Sequence, residues 1–207
     1  MLTEITFLHD RDDAAIADWL AEHLRTALAQ RQSEVAVTVP GGSTPFPILD
    51  RLAGHDLEWE RLSFWPGDDR CVPLDHEASN FGRLRQSLGQ TGAGLHPLEE
   101  EVKLPHFALA WLGMGADGHI ASLFPSSDPQ ADDERQIVRL TPDPLPPEAP
   151  FDRISITLPK LLSAEALVFV IRGPEKLALF EAAAKGENDL PIARLLQHAR
   201  ASVTCFA

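Results

Sequence analysis

This sequence predicts an α/β protein: a single domain over residues 1–207, with a mostly parallel twisted sheet carrying helices on both faces. Three observations lead there. Short β-branched or apolar runs alternate with segments of helical period, as crossover-connected strands and helices do. Turns marked by glycine or proline stand directly behind those runs. A chain of 207 residues, 44% apolar and 24% charged, is also long enough to bury one substantial core.

The elements follow in order. Ile16, Trp19, Leu20, Leu24, Ala27 and Leu28 recur at helical spacing, with Asp10 or Asp12 available as the N-cap. EVAVTV (Glu34 to Val39) is short and β-branched, hence a strand, and a glycine turn leads into TPFPILDRLA, where Pro45 suits a first helical turn. LSFW (Leu62 to Trp65) and FALAWL (Phe107 to Leu112) are the next strands, followed by ISITL (Ile154 to Leu158) and ALVFVIR (Ala166 to Arg172). PEKLALFEAAA (Pro174 to Ala184) is a helix, and SVTCFA closes the chain as a strand. Between Ser126 and Phe151, prolines and acids mark a long surface excursion, and the sequence has no internal repeat.

Composition excludes several functions. The formal net charge of −13 opposes binding to a phosphate backbone, so no nucleic-acid partner is expected. A small anion remains possible, because a few amides and cations can reverse the field inside a cleft. No apolar stretch approaches the ~20 residues of a membrane span. The start, MLTEITFLHDRDD, lacks the basic and long apolar regions of a secretory signal, so a cytoplasmic protein is expected. Cys71 and Cys205 are too few and too distant for a disulfide framework, and the histidines show no paired-ligand spacing, so no metal is expected.

In an open α/β sheet, ligands bind beyond the carboxyl ends of the strands. Four marked stretches occupy such positions. VPGGSTP (Val39 to Pro45) offers free amides at a helix start, suited to a phosphate through Gly42, Ser43 and Thr44, or else a tight turn with a hydroxyl cap. FWPGDDRCVPLDHEASNFG (Phe64 to Gly82) sets Asp68, Asp69 and Arg70 in a Pro/Gly-rich loop behind a strand; Arg70 could fork onto an anion or pair with its neighbouring acids. LGMGADGHIASLFP (Leu112 to Pro125) packs Gly113, Gly115 and Gly118 around Asp117 and His119. His119 is the candidate for proton transfer, and Asp117 could orient its ring if both lie outside a helix; alternatively Asp117 is a cap and His119 a satisfied polar group. VIRGPEK (Val170 to Lys176) places Lys176 in a first helical turn, against the helix dipole, a position more easily accepted if the ammonium faces an anion.

Taken together, GGSTP (Gly41 to Pro45), DDRCVP with Ser79-Asn80, GMGADGHIASLFP (Gly113 to Pro125) and GPEK (Gly173 to Lys176) resemble the 6-phosphogluconolactonase family, in order and in strand-end placement along nearly the whole chain. The resemblance implies a modified Rossmann-like fold shared with glucosamine-6-phosphate deaminases and ribose-5-phosphate isomerases. It implies hydrolysis of 6-phospho-D-glucono-1,5-lactone to 6-phosphogluconate in the oxidative pentose phosphate pathway, without metal or organic cofactor; a monomer or weak homo-oligomer is expected. His119 matches the family's catalytic base, with Asp117 beside it. Arg70 and Lys176 match its phosphate ligands, and Gly42, Ser43, Thr44, Asp69, Gly115 and Arg172 complete the expected substrate contacts.

The chain departs from the family at Asp69 (usually Glu), Ile120 (usually Thr), Ser126 (usually Gly) and in a short Arg85 to Phe107 segment. Two other functions share parts of the pattern. A hexosamine-6-phosphate isomerase or deaminase would carry Asn-Glu-Pro where this chain has Ser122-Leu123-Phe124-Pro125. A non-catalytic sugar-phosphate sensor would need a DNA-binding extension, and no basic helix-turn-helix stands in this acidic chain.

Overall fold

Strands that are covered on both sides can be apolar at every position, and that is how the central strands of this protein are built. The computed structural model describes residues 4–147 and 149–207. In order, the elements are β1 (Ile5–Leu8), α1 (Asp13–Ala29), β2 (Val35–Val39), α2 (Pro45–Leu52), β3 (Leu62–Pro66), β4 (Asp68–Arg70), α3 (Asn80–Leu88) and β5 (Gly94–Leu95). There follow β6 (Phe107–Leu112), β7 (Ile137–Leu140), β8 (Arg153–Ile156), α4 (Leu158–Leu162), β9 (Ala166–Val170), α5 (Pro174–Ala184), α6 (Pro191–His198) and β10 (Ser202–Phe206).

Seven strands form a parallel sheet in the order β1-β10-β9-β6-β2-β3-β5. Every residue of β2, β3, β6 and β9 is buried. Side chains alternate between two cores. On β9, Leu167 and Phe169 join Phe180 of α5 and Leu195 of α6, while Val168 and Val170 join Leu20 and Leu24 of α1 and Leu49 of α2. Each such Leu or Phe contributes about 1.5–3 kcal/mol by leaving water. Helices therefore do cover both faces.

The helix starts follow their local chemistry. Of the two acids available to α1, Asp12 is the cap, accepting from the Ala15 amide at 2.8 Å, whereas Asp10 sits at φ 57°. Ser79 caps α3 by accepting from the Gly82 amide at 3.0 Å. At α2 the pattern changes: Pro45 opens the helix as expected, but Thr44 makes no side-chain cap, which leaves the amides ahead of the helix uncommitted.

A second sheet, antiparallel and ordered β4-β8-β7, corrects three expectations. Asp68–Arg70 is a strand and not a loop. The predicted strand Ile154 to Leu158 shifts to Arg153–Ile156 and leaves the parallel sheet, because Leu158 and Pro159 already begin α4. The excursion from 126 to 151 contributes β7, which pairs along β8. Strands β1 and β5 and helices α4 and α6 also lie where the sequence reading assigned no element.

This topology positions the site. Strands β9, β6 and β2 are neighbours and all point the same way, so the turns after Val170, Leu112 and Val39 emerge side by side. Strand β4 follows β3 after a single intervening residue, Gly67.

Candidate active site

A cleft of about 320 Å³ opens beyond those strand ends, lined by the 40–45 turn, Asp68 and Arg70, the 113–115 turn, His119 and Lys176. The four stretches predicted from sequence meet there.

At one end is the glycine turn. No hydrogen bond from a described atom reaches the amides of Gly42, Ser43 and Thr44, which stand ahead of α2 at the positive end of its dipole. Gly41 has to be glycine: a β-carbon there would lie 2.2–2.4 Å from the Asn80 side chain. Asn80 in turn fastens the strand beneath, its Nδ2 donating to the Asp68 carbonyl at 2.8 Å and its Oδ1 accepting from Arg70 Nη1 at 3.3 Å. Arg70 also donates to the Ala78 carbonyl at 2.8 Å, and its Nε is buried with no partner among the described residues. It does not ion-pair with the adjacent acids, so its charge is uncommitted in the cleft. Lys176, on the first turn of α5, donates to the Met114 carbonyl at 3.0 Å and faces the same space.

At the other end, residues 116–118 form a turn rather than a helix. The Gly115 amide donates to the His119 carbonyl at 2.9 Å, and the Gly118 amide to the Gly115 carbonyl at 3.1 Å, with Gly118 at φ 80°. This brings Asp117 back onto its neighbour: Oδ1 lies 2.6 Å from His119 Nδ1 and accepts from the His119 amide at 3.2 Å. The hydrogen bond to His119 holds the Asp117 carboxyl below the usual range, so it remains an anion. In the tautomer whose Nδ1–H donates to that anion, Nε2 is the nitrogen left to accept a proton. The ring leans on Phe124, centroids 4.7 Å apart. A carboxylate-oriented imidazole of this kind can accept a proton from water and later return it.

Three predicted substrate contacts are engaged within the protein. Asp69 does not line the cleft. It is buried on the opposite face of β4 and accepts from the amides of Arg70, Asn80 and Phe81 and from the Ser79 hydroxyl, which fills its lone pairs and seats α3. Arg172 lines the cleft but is committed to α1, donating to Asp13 and to the Arg11 carbonyl, both at 3.1 Å. Gly115 lines the cleft, yet its amide is used within the turn; its contribution is the space it leaves for the imidazole.

Asp68 and Asn80 were not among the predicted site residues. Asp68 is a cleft residue held by the Ser122 hydroxyl at 2.5 Å. Burial pushes its carboxyl up, against the opposing pull of Ser122 and of the Arg70 charge. The signal was the two-residue period of a strand: once Asp68–Arg70 is extended, residues 68 and 70 share a face and 69 takes the other. Among the described residues no group of three or more metal-ligating side chains comes together, and no helix is long and apolar enough to cross a membrane.

Known proteins resemble this chain in sequence and in fold. The family model for glucosamine-6-phosphate isomerases/6-phosphogluconolactonase matches residues 10–103 and 95–205. The chain therefore belongs to this family. It is 36% identical over 197 residues to a 6-phosphogluconolactonase of Pseudomonas putida, covering 86% of this chain and 80% of that one. A 6-phosphogluconolactonase of Neisseria meningitidis serogroup A is 34% identical over 219 residues, covering 92% and 94%. The crystal structure of a 6-phosphogluconolactonase from Shewanella baltica superimposes with a TM-score of 0.83 at 24% identity, over 100% of this chain and 98% of that one, and shows a common fold.

Proposed function

We propose that this protein hydrolyses 6-phospho-D-glucono-1,5-lactone to 6-phosphogluconate, the step implied for the oxidative pentose phosphate pathway. The observation that carries the reading is the pairing, within one cleft, of uncommitted amides and cations at one end with a carboxylate-held imidazole at the other. The names of the most similar relatives support lactone hydrolysis over the isomerase chemistry that the family also includes.

In this reading the phosphate rests on the Gly42, Ser43 and Thr44 amides between Arg70 and Lys176. Binding energy spent on that remote group positions the lactone carbonyl. His119 Nε2 removes a proton from the water that attacks C1, and Asp117 stabilises the imidazolium. As the C1–O5 bond breaks, the ring oxygen takes that proton back. Asp69 serves as the support of β4 and α3, and Arg172 as a brace for α1. The catalytic unit is the whole span 1–207, working in the cytoplasm as a monomer or weak homo-oligomer without metal.

The test is hydrolysis of freshly generated lactone, corrected for spontaneous opening. Wild type should turn it over, and His119→Ala should lose about 10²-fold or more in kcat with KM nearly unchanged. Wild-type turnover in that variant, or release of ammonia from glucosamine 6-phosphate by the parent protein, would refute the proposal.

A further inference from the structure

Outside the groups already assigned, one cation touches the anion turn from behind. Arg83 projects from α3, and its Nη1 donates to the Gly42 carbonyl at 2.6 Å. The guanidinium is seated on the Phe46 ring, 3.9 Å from its centroid, and makes no ion pair among the described residues. It is not part of the cleft wall, whereas Gly42 and Ser43 are.

A trans peptide is planar, so its C=O and N–H point in opposite directions. Holding the Gly42 carbonyl on the outer side therefore turns the Ser43 N–H toward the cleft. Gly42 sits at φ 90° with nothing within 4 Å of where a β-carbon would be, so no side chain at position 42 holds the peptide that follows it. Rotating that peptide would withdraw one amide and aim a carbonyl oxygen at the anion. Something must select between the two orientations, and Arg83 is the group bonded to the peptide that distinguishes them.

We propose that Arg83 is a positioning residue for the anion end: it latches the Gly42–Ser43 peptide in the orientation that presents the Ser43 amide to a phosphate, without touching the phosphate itself. Arg70 faces the same turn from the cleft; burial first, and then repulsion between the two guanidinium groups, lower the proton affinity of Arg83 against the opposing pull of Asp50. An anion bound between the turn and Arg70 offsets that repulsion, so latch and ligand reinforce one another. The inference rests on the phosphate site of the proposed function and adds to it the device that keeps the site open when it is empty.

The experiment uses the full chain and two readouts. One is KM and kcat for the phosphorylated lactone; the other is the affinity for inorganic phosphate, measured by thermal shift or 31P line broadening, which needs no turnover. In Arg83→Met, KM and the phosphate dissociation constant should both rise by about tenfold while kcat stays within about twofold. Arg83→Lys, which can still donate to the carbonyl, should recover most of the loss. A merely structural role would reduce the amount of active protein and leave KM and phosphate affinity where they were, and that result overturns the inference. Should Arg83→Met not fold, Arg83→Gln takes its place with the same expectation and the same overturning result. Phosphate binding by wild type with unchanged affinity in the variants refutes this inference alone. No phosphate binding by wild type refutes the phosphate site, and the latch with it.

Discussion

Gly115 lies directly beneath the imidazole of His119, so closely that a β-carbon on Gly115 would come within 2.2 Å of both Nδ1 and Cε1 and 2.7 Å of Asp117 Oδ1. The acid–base pair is thus seated on bare backbone, and the smallest side chain would displace it. Gly115→Ala should therefore lower kcat by about 10²-fold with little effect on KM, since the phosphate end is untouched. Steady-state hydrolysis checks this, with circular dichroism to confirm that the sheet persists. A variant with normal kcat would mean that the ring need not sit where it does.

Lys176 and Arg172 both border the cleft, but their side chains are engaged differently. Lys176 makes one hydrogen bond, to a carbonyl, and keeps its other donors for a ligand, whereas Arg172 bridges Asp13 and the Arg11 carbonyl. Lys176→Met should raise KM by about tenfold or more. Arg172→Met should change it by less than about threefold and affect the docking of α1 instead. Equal effects on KM would show that Arg172 turns to the substrate when it binds.

The two carboxyls nearest the base respond to pH in opposite senses. Burial raises Asp68, so the folded protein holds its proton more tightly than the unfolded chain does. Stability from that proton is complete below the ordinary carboxylate range and is lost as pH rises through the raised value. Asp68→Asn cannot lose a proton. Its melting temperature should exceed that of wild type by about 3 °C or more at pH 8, and the gap should close near pH 4.

Asp117 behaves the other way. Its hydrogen bond to His119 lowers it, so its contribution is present at neutral pH and disappears as pH falls through the depressed value. Asp117→Asn should melt slightly below wild type at pH 7 and match it in strong acid. Thermal scans from pH 3 to 8 on both variants check the pair of signs, and parallel curves would contradict the environments described for these groups.

What could be read from the sequence depended on burial. Strands β2, β6 and β9 are covered on both sides, so they appear as unbroken apolar runs and were identified in place. Strand β4 is Asp-Asp-Arg, with no apolar residue to betray it, and β7 lies inside a proline-rich excursion, so the antiparallel sheet was hidden. Edge strand β1 is only partly covered and lacks a clean pattern. At the site, the motifs named the turn, Arg70, His119 and Lys176, which line one cleft, and Asp117, which bonds His119. Naming Asp69 and not Asp68 at the cleft followed from missing that one extended stretch, since a period of two decides which acid faces the cleft.

Strands β2 and β6 are hydrogen-bonded neighbours, and they carry the phosphate turn and the histidine turn on their ends. The two turns thereby leave the sheet from adjacent strands, about 4.8 Å apart, which fixes where each begins. In the proposed function, a phospholactone one carbon shorter should bind by its phosphate and be hydrolysed more slowly, which steady-state hydrolysis of the shorter lactone checks.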